Sequence, residues 1–301
     1  MIITTLEHLL ETVKSRPNKR LVAAYANDSH TIQAVGAAVD YGIVDATLTG
    51  DESVMLKICQ DEKINPNKFK FIHETDEIKA TYKAVEIVND GKADFLMKGL
   101  VSTDKYMKAI LDKEKGLMEP GAVLSHVTII ENKGYHKLLV IGDVAIIPAP
   151  EIKEKIAITN YLIKTAQALG IEKPKVAIIA ATEQTLPKMQ ACVDAAIISK
   201  MADRGQIKGA YIDGPLALDV AIDKESAKIK KLNSEVAGDA DCLLFPSIEA
   251  GNVFYKMHTK MCGGELAAVV FGAKVPCVLS SRGDSSKTKL YSIALAALLS
   301  K

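Results

Sequence analysis

Short apolar runs rich in β-branched residues punctuate the chain at 21–26, 46–49, 70–73, 95–97, 127–130, 138–141, 176–180, 209–212, 242–245 and 275–279. Between many of them, residues 32–41, 78–89, 103–111, 153–169 and 286–299 carry apolar positions at helical spacing. The short runs lack the strict polar alternation of half-exposed strands. Strands of that kind, alternating with helices, predict largely parallel sheets covered on both faces, an α/β chain. From Val127 to Ile147 the rhythm changes. Strands there follow one another through short turns at 132–134 and 142–143, which predicts some antiparallel pairing.

Pro148, Ala149 and Pro150 then precede a long charged helix, the clearest punctuation for a domain boundary. At 301 residues the chain has length for one large or two medium domains with real cores. The basic and acidic residues, 38 against 37, leave a net charge of +1, without the basic excess that nucleic-acid binding requires. Cys59, Cys192, Cys242, Cys262 and Cys277 are odd in number and never spaced C-x-x-C, so neither a disulfide framework nor a zinc site is expected. Glu7, His8 and Glu11 interrupt any apolar leader at the N-terminus. Gly272, Lys274 and Pro276 break the most apolar long window, so no membrane span is expected. The expectation is a cytoplasmic protein.

In open α/β sheets, ligands gather where strands end and helices begin. Lys98-Gly99-Leu100-Val101-Ser102-Thr103 follows one strand: a glycine allows close backbone approach, a hydroxyl can cap the next helix, and Lys98 supplies charge for an anion. Ser280-Ser281-Arg282-Gly283-Asp284-Ser285-Ser286-Lys287 follows another. Hydroxyls, an arginine fork and free helix N–H groups together suit phosphate oxygens, although Asp284 or Ser285 alternatively serves only as a cap. In the segment 246–256, Asn252 and Lys256 stand four residues apart on one helix face. Asp219 and Asp223 have the same spacing and could hold a divalent metal, but no third carboxylate accompanies them and paired surface acids are common. His126 opens an apolar strand, where a histidine is more often a hydrogen-bonded structural residue than a catalyst. Neither a G-x-x-x-x-G-K-[ST] loop nor a G-x-G-x-x-G motif is present.

These strand ends, in this order, resemble the phosphate acetyl/butyryltransferase family, most closely its butyryltransferase branch. The resemblance is carried by KGLVST at 98–103, LSHV at 124–127, SKMADRGQIKGAYIDGPLALDVA at 199–221, AGDADCLLFPSIEAGNVFYK at 237–256 and SSRGDSSKTKLYSIALAAL at 280–298. VAAYANDSHTIQAV at 22–35 is similar to the family's first strand and helix, so the likeness covers nearly the whole chain.

The resemblance implies a two-domain α/β fold like that of isocitrate and isopropylmalate dehydrogenases, each domain a largely parallel sheet flanked by helices, with the active site in the interdomain cleft. A C-terminal helix returning to the first domain gives one domain of 1–149 plus 283–301 and a second of 150–282. It further implies reversible acyl transfer between coenzyme A and inorganic phosphate in a ternary complex, by a homodimer or higher homo-oligomer. Coenzyme A is a substrate, and no metal or other cofactor is expected. By position, Ser281 and Arg282 match the pair that contacts phosphate and the reacting carbonyl. The acetyltransferase branch places a proposed basic aspartate further on, where this chain has Ser286, Lys287 and Thr288, so Asp284 becomes the candidate base or orienter. Lys98, Ser102 and Thr103 look like a second anion contact, Asn252 and Lys256 like substrate or inter-strand positioning groups, His126 like a residue lining the cleft, and Lys287, in the first turn after the arginine segment, like a further substrate-binding group. Two alternatives stand beside butyryl transfer. One is transfer of acetyl or another short chain; the other is an NAD-dependent, metal-assisted dehydrogenase on the related fold, supported by Asp219 and Asp223.

Overall fold

Three aspartates begin helices in the first part of the chain, each accepting backbone N–H groups of the first turn. Asp28 takes Thr31 N, Asp51 takes Ser53 N and Val54 N, and Asp76 takes Ile78 N and Lys79 N. They punctuate a run of α1 (Leu6–Lys14), β1 (Lys19–Ala24), α2 (Ser29–Asp40), β2 (Val44–Gly50), α3 (Glu52–Asp61), β3 (Phe69–His73), α4 (Glu77–Asn89), β4 (Phe95–Lys98) and α5 (Thr103–Leu111). Next come β5 (Ser125–Glu131), β6 (Leu139–Gly142), α6 (Ile152–Ala168), β7 (Lys175–Ile179), α7 (Gln190–Asp203), β8 (Tyr211–Leu216), α8 (Leu218–Ile222), α9 (Lys224–Ile229), β9 (Cys242–Leu244) and α10 (Ile248–Lys260). The chain ends with β10 (Glu265–Phe271), β11 (Cys277–Val278) and α11 (Ser286–Leu299). This computed structural model describes residues 1–279 and 284–301.

By internal contacts the chain falls into a terminal unit, Leu6–Leu124 with Ala267–Lys301, and a central unit, Met1–Thr5 with Ser125–Leu266. In the terminal unit the strand order is β3-β2-β1-β4-β11-β10. All neighbours run parallel except β10 and β11, which pair antiparallel at Val270 and Cys277. Leu21 of β1 sits between Ala46 and Phe95 of the flanking strands, and the last four residues of β1 are all buried. That two-sided burial explains why β1 reads as an unbroken apolar run. Helix α11 is buried from Lys289 to Leu299 and packs against α1 and α2. From Leu290 onward its sequence is accordingly apolar on every face apart from Ser292. Each large side chain so enclosed contributes roughly 1.5–3 kcal/mol.

The central unit orders its strands β5-β6-β9-β7-β8. The antiparallel pairing expected after Val127 is the β5–β6 pair, with Thr128 opposite Ile141 and Ile129 opposite Val140. From β6 onward the neighbours are parallel. Ile141, Ala177 and Leu243 from three adjacent strands form its core together with Phe245, Leu216 and Val220. Pro148, Ala149 and Pro150 lie inside this unit, between β6 and α6, while the changes of unit fall after Thr5, after Leu124 and after Leu266. Helix α8 stops at Ile222, and Asp223 is the N-cap of α9, accepting Ser226 N at 2.7 Å. Asp219 and Asp223 therefore do not share a continuous helix. Among the described residues no helix is long and apolar enough to cross a membrane.

Candidate active site

Because β1, β4 and β11 are parallel, their carboxyl ends lie on one edge of the terminal sheet. The segments from Tyr25 to Ser29 and from Gly99 to Ser102 leave from that edge, where Leu279 also lies after β11, the position where open α/β sheets bind ligands. Gly99 brings two of these segments together. Its N–H donates to Ala24 O at 2.9 Å, and a Cβ there would lie 2.4 Å from Tyr25 O. No side chain fits in that space. Tyr106, wholly buried in α5, fixes the helix beneath the edge by donating to Leu96 O at 3.4 Å and Val278 O at 3.3 Å. Burial raises its phenol well above the ordinary range.

Lys98 is almost fully buried, and its ammonium turns back to Val101 O at 2.8 Å and Gly99 O at 3.1 Å. Those bonds shape the loop from within. Ser102 is the N-cap of α5, yet its hydroxyl makes no capping bond and is buried without a hydrogen-bond partner. Thr103, the first helical residue, is exposed. On the neighbouring segment, Asp28 Oδ1 accepts Thr31 N at 2.9 Å, while Asp28 Oδ2 and Thr31 Oγ1 are buried and unpartnered.

Ser281 and Arg282 lie outside the described residues. Asp284 is described, half-buried, and is not the cap of α11. Ser285 has that place, its Oγ accepting Thr288 N at 3.1 Å. Lys287 is exposed with its ammonium 5.4 Å from the Tyr291 ring centroid. One residue earlier, Ser286 Oγ donates to Gln33 Oε1 at 2.8 Å and lies 3.5 Å from His30 Nδ1, joining the start of α11 to α2. The residues from Asp28 to Gln33, and the buried Lys289, are additions that strand-end reading did not single out. The signal was the polar run Asn27-Asp28-Ser29-His30 directly after an apolar strand.

A second polar group lies in the central unit. Asp143 is buried at the end of β6 and accepts four donors: Ser125 Oγ at 2.9 Å, His126 N at 3.2 Å, Ala145 N at 2.7 Å and Ile146 N at 3.0 Å. His126 is buried too, its Nδ1 3.2 Å from Thr128 Oγ1. Asn252 reaches the same turn from α10, donating to Val144 O at 3.0 Å. Lys256, one helical turn on, is exposed. Thus His126 and Asn252 meet at the 143–144 turn, while Lys98, Ser102, Thr103, Asp284 and Lys287 belong to the terminal unit. Among the described residues no group of three or more His, Cys, Asp or Glu could hold a metal ion.

The family model described as phosphate acetyl/butaryl transferase matches residues 55–297. The phosphate butyryltransferase of Clostridium acetobutylicum is 45% identical over 298 residues, 99% of each chain. A phosphate acetyltransferase of Thermotoga maritima is 40% identical over 296 residues, 97% of this chain and 99% of its own. The crystal structure of a branched-chain phosphotransacylase from Enterococcus faecalis superposes with a TM-score of 0.81 at 30% identity, covering 93% of this chain and 98% of that one. A 4-hydroxythreonine-4-phosphate dehydrogenase from Klebsiella pneumoniae covers 94% of this chain and all of its own, but with a TM-score of 0.57 and 9% identity. The expectation of an isocitrate/isopropylmalate dehydrogenase-like fold is therefore corrected: the architecture is the two-domain α/β fold of the phosphotransacylases. Alternating strands and helices specify parallel sheets, but the order and connection of strands separate one such fold from another.

Proposed function

This chain belongs to the phosphate acetyl/butyryltransferase family and transfers a short acyl group reversibly between coenzyme A and inorganic phosphate, and we propose that its acyl group is butyryl. The observation that carries this reading is the end-to-end likeness to a phosphate butyryltransferase. In the reaction, a phosphate oxygen attacks the thioester carbonyl. A C–O bond forms, the C–S bond breaks, and the proton given up by phosphate ends on the coenzyme A sulfur. Reversal requires that a thiol of ordinary pKa about 8.5 lose its proton. A group able to accept and return one proton therefore serves both directions.

In this reading Arg282 and Ser281 hold phosphate and stabilise the negative charge that develops on the carbonyl oxygen. Asp284, free of the capping role that Ser285 fills, handles or orients the proton. Ser102, whose hydroxyl is unpartnered, is read with Thr103 and Lys287 as a second anion contact, in a loop that Lys98 shapes from within. Asn252, tied to the 143–144 turn, positions substrate with His126 and Lys256. The enzyme is read as a cytoplasmic homodimer or higher homo-oligomer.

The test is phosphate-dependent thiol release across acetyl-, butyryl- and longer acyl-CoAs. Burying one methylene is worth about 0.8 kcal/mol, so kcat/KM for butyryl-CoA should exceed that for acetyl-CoA by about tenfold. A two-carbon optimum overturns the butyryl assignment and makes acetyl the acyl group.

A further inference from the structure

His258, in the last turn of α10, is only 3% exposed and meets two partners from outside the helix. Its Nδ1 lies 3.1 Å from Nδ2 of Asn132, just after β5, and its Nε2 lies 3.4 Å from the carbonyl oxygen of Glu265, at the start of β10. Those partners fix its protonation state. Asn132 Oδ1 accepts the backbone N–H of Gly134 at 2.7 Å, so the amide nitrogen is the end turned to the ring. An amide nitrogen only donates and a carbonyl only accepts. Nδ1 must therefore present its lone pair while Nε2 carries the hydrogen, which is the neutral imidazole in a single tautomer. The turn after α10 wraps the same ring. Gly264 N donates to His258 O at 3.2 Å, and a Cβ on Gly264 would stand 1.9 Å from His258 Nε2.

We propose that His258 is an acid-released clasp: its neutral ring ties the end of α10 to the β5–β6 turn and to the start of β10, and a proton on Nδ1 breaks the bond to Asn132 and frees that end of the helix. A protonated Nδ1 would set donor against donor and leave a positive ring buried. Burial already holds the imidazole below its ordinary range, while the backbone carbonyls of Glu265 and Glu131 pull the other way. The charged side chains around it are Lys256 and Lys260 on α10, Lys133 in the β5–β6 turn, and the half-buried Glu131 on β5 and Glu265 on β10. Tyr135 and His136, further along that turn, are committed to Ala240 O and Asp239. A histidine whose folded value is depressed stabilises fully above its unfolded value of about 6.5 and loses that stabilisation as pH falls through the folded value. The loss falls in mild acid, above the range in which carboxylates titrate. Asn252 holds the start of the same helix at the 143–144 turn, so the loosening is confined to its last turn and the residues after it.

Nitrogen NMR of the histidine rings and amide hydrogen exchange test the clasp in the full-length protein. Wild-type His258 should carry its hydrogen on Nε2 and titrate below about 6.5. Exchange protection of the amides from Met257 to Gly264 should fall about tenfold between about pH 7.5 and about pH 5, while that of the amides near Asn252 should hold. His258→Gln cannot titrate and should show no such fall. Asn132→Asp still accepts Gly134 N but turns a carboxylate to the ring. It should raise the His258 titration by about one pH unit or more and abolish the acid loss. A neutral ring with its hydrogen on Nδ1, or a wild-type titration at or above about 6.5, overturns the proposal. So does wild-type protection that is independent of pH. An acid loss that persists undiminished in His258→Gln or Asn132→Asp assigns it to another group and overturns the proposal too. If His258→Gln does not fold, Asn132→Asp decides.

Discussion

Asn252 donates its side-chain amide to the carbonyl oxygen of Val144 at 3.0 Å, tying the first turns of α10 to the turn that follows β6. The adjoining Gly251 makes that approach possible, since a Cβ there would stand 2.4 Å from Asp143 O. Asn252 is thus held in place by the same turn whose aspartate binds Ser125 and the His126 backbone.

Asn252→Ala strips a buried carbonyl of its donor and should destabilise the protein by about 1–3 kcal/mol. Lys256→Ala removes an exposed side chain and should stay within about 0.5 kcal/mol. Urea unfolding of the two variants checks the contrast. Equal effects would mean that the Asn252 bond contributes nothing.

Gly99→Ala places a methyl group against Tyr25 O and Ala24 O, both backbone atoms that cannot swing aside. Overpacking of this kind costs typically about 1–3 kcal/mol. Thermal unfolding and turnover should both suffer, because the two segments that Gly99 joins carry Asp28 and Ser102. A variant matching wild type in both would show that the loops are not so closely held.

Arg282→Ala should cut turnover by about 10²-fold or more, the scale for removing one donor to developing charge. Asp284→Asn should lower kcat and alter the pH–rate profile, since Ser285 already caps the helix. Near-normal turnover in folded Arg282→Ala removes Arg282 from the mechanism. An unchanged profile in Asp284→Asn leaves that residue no part in proton transfer.

Acid sensitivity should come from Asp239. Partial burial favours its neutral form, but bonds from Lys175 at 2.7 Å and from Lys137 at 3.1 Å outweigh that and hold its carboxyl well below the ordinary range. A depressed folded-state value stabilises the protein fully above the unfolded value of about 3.9 and loses that stabilisation as pH falls below it. Asp239→Asn should therefore be less stable than wild type at pH 7, with the gap narrowing in acid. Urea unfolding across that interval tests it, and a gap independent of pH contradicts the assignment.

Much of this organisation is legible in the sequence because it follows from local rules. The buried run of β1 and the apolar stretch of α11 each declare themselves within a few residues. The strand-end segments around Gly99 and Asn252 were readable for the same reason. Other features depend on contacts between residues far apart in the chain. Lys98 reads as a free charge at a turn, yet its ammonium is committed to the carbonyls of its own loop. Asp219 and Asp223 fit helical spacing, but α8 ends at Ile222 and Asp223 starts another helix. Lys289 looks like an ordinary helix lysine until the packing of α11 buries it. The isocitrate/isopropylmalate dehydrogenase-like expectation came with the family resemblance and not from any local pattern in the chain, and the superposition on phosphotransacylases replaces it.

Phosphorus NMR of the protein with butyryl-CoA and inorganic phosphate tests the central claim most directly. The account predicts a butyryl phosphate resonance growing as inorganic phosphate declines, with one free thiol appearing per phosphate consumed. Thiol release without an acyl phosphate resonance, or no reaction with any short acyl-CoA, would contradict it.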